Sequence, residues 1–240
     1  MDQLLIALDV PTGSEALRLA DLLRGAVGGF KIGSQLFTAE GPAIVRTLTG
    51  KGDRVFLDLK FHDIPNTVAN AVAAATSLGV WMVNVHASGG TKMMQAAADA
   101  ARNNARAEGR QAPLVIAVTV LTSMTAAALS ETGTNVPVID QVSRLARLAQ
   151  QSGLDGVVAS AQETSTIRGR CGPGFVIVTP GIRGGAAATP KDDQERTLTA
   201  GSAIAAGSSY LIVGRPVIAA PDPRAAAERI ADEIRSSHLV

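Results

Sequence analysis

Short runs of consecutive apolar residues recur along the chain, separated by longer stretches in which apolar and polar positions follow a helical period. The runs are LLIALD (4–9), GFKIG (29–33), RVFLDLK (54–60), WMVNVH (81–86), PLVIAVT (113–119), LDGVVAS (154–160), FVIVTPG (175–181) and YLIVGR (210–215). Apolar residues at successive rather than alternate positions mark strands covered on both faces, the condition of a parallel sheet. Between them, SEALRLADLLRGA, NTVANAVAAATSLG, TKMMQAAADAARNNARAEG and IDQVSRLARLAQQSG read as alanine-rich helices, several of them closed by a glycine (Gly79, Gly109, Gly153). The last helix opens PDPRAAAERIADEI, with Asp222 placed as its cap and Pro223 at its first position. Asn66 and Thr67 are expected to cap the helix that follows residues 54–60. Eight strands alternating with helices predict an eight-stranded α/β barrel or a doubly wound sheet. No linker or low-complexity segment interrupts the alternation, so a single domain of residues 1–240 is expected.

Polar residues fall at one end of these runs. Asp9, Lys31, Asp58 with Lys60, His86, Thr122, Arg183 and Arg215 all lie at or just beyond a strand's C-terminal end. In both candidate folds that edge carries the active site. Any one of these residues alone is explained by a strand end meeting water. The set is not.

Composition narrows the classes. With 46% hydrophobic residues in 240, the chain can bury one large core or two small ones. A formal net charge of +1 gives no field for capturing nucleic acid or an anionic membrane, and neither partner is expected. A single cysteine, Cys171, allows no intrachain disulfide and no cysteine-based metal cluster. No run reaches the length of a membrane span, and MDQLLIALDV lacks the basic start of a signal peptide. A cytoplasmic protein is expected.

The densest chemistry lies in VFLDLKFHDIPNTV, residues 55–68. Side chains two apart on a strand share a face, so Asp58 and Lys60 project together, and Asp63 follows after a turn. Charges at a barrel mouth persist only when paired. A structural ion pair would need only one acid and one base. Here Lys31, Asp58, Lys60 and Asp63 can alternate, and flanking carboxylates hold a lysine protonated, which makes it a proton donor rather than a nucleophile. His62 and His86 are expected to be structural, hydrogen-bonded histidines, and three separated histidines give no metal site. At the other end of the chain, Gly214 allows close backbone approach and Arg215 can bind phosphate oxygens, a combination suited to the loop after an eighth barrel strand. The long loop TPGIRGGAAATPKDDQERTLT, with Arg183 and Gln194, has the character of a lid. Thr122 and Ser123 can hydrogen-bond an amide-like ring or, alternatively, cap the next helix.

Taken in order, ALDV, FKIGSQLF, FLDLKFHDIPNTV, VNVHASGG, VTVLTS, GLDGVVAS, VTPGIR and VGRP resemble the orotidine 5′-phosphate decarboxylase family, from about residue 4 to the last helix. The resemblance implies a (β/α)8 barrel, a homodimer with its active sites at the interface, and conversion of orotidine 5′-monophosphate to UMP and CO2 without a cofactor. It implies that Lys60 protonates C6 of the pyrimidine, Asp58 lies beside the departing carboxylate, Lys31 completes the charge network and Asp63 enters it from the partner subunit. By the same resemblance, Asp9 and Thr67 contact the ribose, with Thr67 also donated across the interface. Ser123 contacts the base, Gln194 the base and phosphate, and Arg183, Gly214 and Arg215 the phosphate. Backbone contacts fall in the 58–67 segment, Ile64 among them, and near Thr122 and Pro180.

Three other readings compete. Related sugar-phosphate barrels share D-x-K-x-x-D but use Mg²⁺, with an acid where this chain has Lys31. A Schiff-base aldolase would need Lys60 neutral. A nucleotide-binding protein without catalysis would tolerate loss of a member of the charged tetrad, and all four are present.

Overall fold

The computed structural model describes residues 2–182 and 198–237. The chain alternates strand and helix throughout. β1 (Leu4–Ala7) leads to α1 (Gly13–Leu23), β2 (Gly29–Gly33) to α2 (Ser34–Glu40) and α3 (Pro42–Gly50), β3 (Val55–Phe61) to α4 (Pro65–Ser77), and β4 (Met82–His86) to α5 (Gly90–Ala107). β5 (Leu114–Val118) is followed by α6 (Ala126–Glu131) and α7 (Val138–Gln151), and β6 (Gly156–Val158) by α8 (Thr164–Cys171). β7 (Val176–Thr179) precedes α9 (Ala200–Ala205), and β8 (Tyr210–Val213) precedes α10 (Arg215–Ile218) and α11 (Pro223–Ser236). All eight strands are parallel and close in chain order, β1 pairing with both β2 and β8. Closure removes the doubly wound alternative and leaves the (β/α)8 barrel.

The successive apolar positions have a direct physical cause: each strand is buried twice. Leu4, Ile6, Val55, Leu57, Val83 and Val85 point outward and pack under the helices, which contribute residues such as Leu19, Leu23, Val45, Leu48, Val72 and Ala97. The intervening positions point inward, where Leu5, Ala7, Phe56, Met82, Ile116, Val178 and Ile212 fill the barrel interior. The N-terminal end of the barrel is closed by aromatic packing. The Arg54 guanidinium lies 3.8 Å from the Trp81 ring centroid, and Trp81 meets Tyr210 edge-on at 5.0 Å.

Helix ends follow the sequence expectations at Asp222 and at the closing glycines. Asp222 caps α11, its carboxylate accepting from Ala225 N–H at 2.9 Å, with Pro223 at the first turn. Gly79, Gly109 and Gly153 all have positive φ just past helix ends. Asn66 and Thr67, however, do not cap α4. Pro65 already occupies its first turn with Ile64 at the cap position and no side-chain cap bond, which places both polar residues inside the helix start with exposed side chains. No described helix is long and apolar enough to cross a membrane.

One inward position tolerates no side chain. A Cβ on Gly156 of β6 would lie 2.1 Å from the Val176 carbonyl oxygen of β7, a backbone atom that cannot yield. Gly156→Ala is expected to destabilise the protein by about 1–3 kcal/mol, as an overpacked core position does. Urea unfolding of variant and parent would measure it, and an unchanged midpoint would show that the strands separate easily at this point.

Candidate active site

The inward rows of β1, β2 and β3 change character as they approach the C-terminal mouth. In the apolar layer, Ala7 pairs in register with Lys31 and Lys31 with Phe56. Two positions further along the chain stand Asp9, Gly33 and Asp58, which inward parity brings to the mouth, and then Lys60, which follows a shift in the β3 register. Lys31 and Asp58 are 7% and 8% exposed, and charges so buried require partners. Asp58 supplies them by bridging: its Oδ1 receives Lys60 Nζ at 2.7 Å, and its Oδ2 lies 3.4 Å from Lys31 Nζ. Lys31 Nζ also donates to Asp9 Oδ1 at 3.0 Å. Four charges thus alternate in sign across the mouth, in the order Asp9, Lys31, Asp58, Lys60.

Gly33 makes room for this chain. A Cβ there would lie 2.9 Å from Lys31 Nζ and 3.1 Å from Asp9 Oδ1. Asn84 of β4, wholly buried, contributes a second support: its amide nitrogen donates to Asp58 Oδ1 at 2.7 Å, and its carbonyl oxygen accepts from Lys60 N–H at 2.8 Å. Neither residue was singled out by the sequence reading. Asn84 had a visible signal, a polar residue at inward parity inside the apolar run MVNVH. Gly33 had none, because its role depends on a neighbour from β1.

The charged row borders a cavity of about 460 Å³ at the C-terminal mouth. Asp9, Lys31, Asp58 and Lys60 line it, and so do Thr122, Pro180, Gly214 and Arg215. Phe56, Val118, Val158 and Ile212 also line it. Eight of the anticipated residues therefore converge on one space. Ser123 does not line it; it is exposed in the turn after β5. Neither Thr122 nor Ser123 caps α6, a task that falls to Thr125, which accepts from Ala128 N–H at 3.1 Å.

Asp63, Ile64 and Thr67 lie apart from this chain's own cavity. The whole stretch from His62 to Thr67 is exposed, Ile64 at 66%, and the Asp63 carboxylate accepts from Ile64 N–H at 2.6 Å. Arg183 and Gln194 lie outside the described residues. His62 and His86 stack with ring centroids 5.5 Å apart. Among the described residues no group of three or more His, Cys, Asp or Glu is arranged to hold a metal ion.

A closed parallel barrel whose C-terminal mouth holds paired charges over an apolar floor is the working arrangement of a barrel enzyme. Comparison with known proteins specifies which. The model of the Orotidine 5'-phosphate decarboxylase / HUMPS family matches residues 2–230, and the chain belongs to that family. It is 54% identical to the orotidine 5′-phosphate decarboxylase of Moorella thermoacetica, over 97% of this chain and 92% of the relative. The same identity, 54%, relates it to the orotidine 5′-phosphate decarboxylase of Chromohalobacter salexigens over 96% and 95% of the two chains. Among solved structures, orotidine 5′-phosphate decarboxylase from Lactobacillus acidophilus superposes with a TM-score of 0.85 at 37% identity, covering 96% of this chain and 98% of that one.

The histidine stack bears on stability. Burial foremost, then His62 and Lys60, lowers the His86 pKa below the ordinary 6.5, with Asp58 opposing. The unfolded chain then binds a proton at pH values where folded His86 does not, so stability falls as pH drops from about 6.5 downward. His86→Gln is expected to flatten this acid-side loss in a series of Tm values from about pH 8 to about pH 5. Parallel slopes in variant and parent would assign the loss to other groups.

Proposed function

We propose that the protein decarboxylates orotidine 5′-monophosphate to UMP and CO2 in pyrimidine biosynthesis, as a single barrel domain of residues 1–240 and without a cofactor. The observation that carries this reading is the Asp58 carboxylate bridging two ammonium groups at the edge of a nucleotide-sized cavity. Loss of CO2 breaks the C6–carboxylate bond and leaves its electron pair on C6, in the plane of the ring and out of conjugation with it. Fixed positive charge must then stabilise the anion. Both lysines line the cavity, and Lys60, the more exposed of the two, is assigned the role of proton donor. Its Nζ–H transfers to C6 as CO2 leaves, and the neutral amine regains a proton from solvent.

Asp58 is assigned the place beside the substrate carboxylate, where its negative charge opposes binding of the ground state more than of the product-like transition state. Binding energy from remote groups offsets that repulsion. Gly214 and Arg215, which line the same cavity just past β8, are assigned to the phosphate together with Arg183, and Asp9 to the ribose. Thr122, Pro180 and Ser123 are assigned to the base, and Gln194 to base and phosphate. The exposed segment bearing Asp63, Ile64 and Thr67 is assigned to the partner subunit's site in a homodimer. The metal-dependent alternative would put a cation beside Asp58, where the Lys31 ammonium already stands 3.4 Å away.

Absorbance at the orotidine band tests the assignment. Lys60→Ala is expected to lower kcat by about 10³-fold or more, and Arg215→Ala to lower kcat/KM by about 10–100-fold, chiefly through KM. EDTA is expected to leave the parent enzyme's rate unchanged. Full activity in Lys60→Ala would reject the proton-donor role, and inactivation by EDTA would favour the metal-dependent members. For the dimer, mixing the separately inactive Lys60→Ala and Asp63→Ala proteins is expected to restore activity, since a hybrid carries one intact site. No recovery after subunit exchange would place both groups in one chain's site.

A further inference from the structure

Lys60 is the only described non-glycine residue with positive φ, at 52°. That conformation is strained for a side chain of this kind and persists only where the surroundings impose it. The surroundings are visible in the strand register. Leu57 pairs with Val83 and Phe61 with Val85, so Asp58, Leu59 and Lys60 stand opposite Asn84 alone. A bulge of this kind leaves backbone groups of β3 without their ladder partners on β4. Asn84 takes one of them through its side chain, accepting from Lys60 N–H at 2.8 Å.

That bond also fixes the sense of the Asn84 amide. With the oxygen held by a backbone donor, the nitrogen must face the other way, and there it donates to Asp58 Oδ1 at 2.7 Å. The same oxygen receives Lys60 Nζ at 2.7 Å. Turning the amide over would set N–H against N–H and carbonyl against carboxylate at once. Asn84 is wholly buried and is not among the residues lining the cavity, so it reaches a ligand only through Asp58 and Lys60.

We infer that Asn84 is a positioning residue: one amide clamps the strained backbone of Lys60 and the carboxylate that its ammonium meets, so that Nζ is aimed into the cavity before substrate arrives. Substrate binding through distant groups is then largely independent of Asn84, while the proton transfer is not. The kinetic part of this inference rests on the decarboxylase reading; the structural part does not.

Two variants separate positioning from folding. Asn84→Ala removes both bonds and is expected to lower kcat about 10²-fold, the scale of an ångström of misplacement, with KM near the parent value. Asn84→Asp keeps the shape and the acceptor for Lys60 N–H but sets a second carboxylate against Asp58. Two carboxylates sharing a site raise the pKa of one. The charged groups around position 84 are Asp58 and Lys60 on β3, Lys31 on β2 and His86 further along β4, while β5 opposes it with Ile116. Once protonated, the new carboxyl donates to Asp58 as the amide did. The kcat of Asn84→Asp, taken relative to the parent at each pH, is therefore expected to rise as pH falls from about 8 to about 5, while that of Asn84→Ala stays flat.

A crystal structure of Asn84→Ala supplies the readout independent of activity: Lys60 is expected to leave positive φ and its Nζ to leave Asp58. Parent-like kcat in Asn84→Ala, or an Asn84→Asp ratio that does not rise toward acid, overturns the inference. Should the parent fail to decarboxylate orotidine 5′-monophosphate, the functional reading falls and the crystal structure alone decides the inference, with Lys60 unmoved in the variant overturning it. Should Asn84→Ala not fold, the isosteric Asn84→Asp decides by its pH ratio, or by its crystal structure at high pH if there is no activity to measure.

Discussion

The Asp58 carboxylate, held between two ammonium groups inside the barrel, is the contact on which the rest of the mouth depends. Its oxygens engage Lys60 at 2.7 Å and Lys31 at 3.4 Å, and Lys31 extends the chain to Asp9. Stability does not require such an arrangement. Replacing buried ion pairs with apolar residues of similar volume is often neutral or stabilising, whereas removing one partner leaves an uncompensated charge. The interior residues beneath the cavity, Leu5, Met82, Ile116 and Val178, show how this barrel fills space when packing is the only demand. The charges begin where the cavity begins, as expected if they face a ligand.

Two constraints of the fold put them there. Inward parity carries Asp9, Lys31 and Asp58 up from the apolar layer without special geometry. Lys60 needs more, because the β3 bulge interrupts the ladder at that residue and bends its backbone into the left-handed region. Small and polar neighbours then make the arrangement possible: Gly33 by presenting no side chain to Lys31, and Asn84 by satisfying the bulge and the carboxylate together. The charged residues and their supports act as one unit, which is why single-residue effects here should not add.

Much of this could be read from the sequence, and the boundary is physical. The strands were legible because double burial writes a continuous apolar run, and the candidate residues were legible because charges at strand ends in such a chain demand explanation. Asp58 and Lys60 sharing a face followed from strand parity. Closure into a barrel was not legible from the pattern, since a doubly wound sheet has the same alternation; it entered through the family resemblance and is seen in the pairing of β1 with β8. The missed supports were non-local. Gly33 matters only because of Asp9, and Asn84 only because of a register shift that no sequence period encodes. The expectation for Asn66 and Thr67 failed for a local reason, Pro65 having started α4 before either could cap it. Asp63, exposed after the turn, lies outside its own chain's network, which runs through Asp9 instead.

The most direct test of the central claim, that the Lys60 ammonium beside Asp58 delivers the proton to the ring, is a crystal structure with UMP bound. The account predicts Lys60 Nζ within about 3.5 Å of ring C6, on the Asp58 side of the base. A nucleotide seated in the cavity with that nitrogen directed at the phosphate or the ribose, and another group nearest to C6, would contradict it.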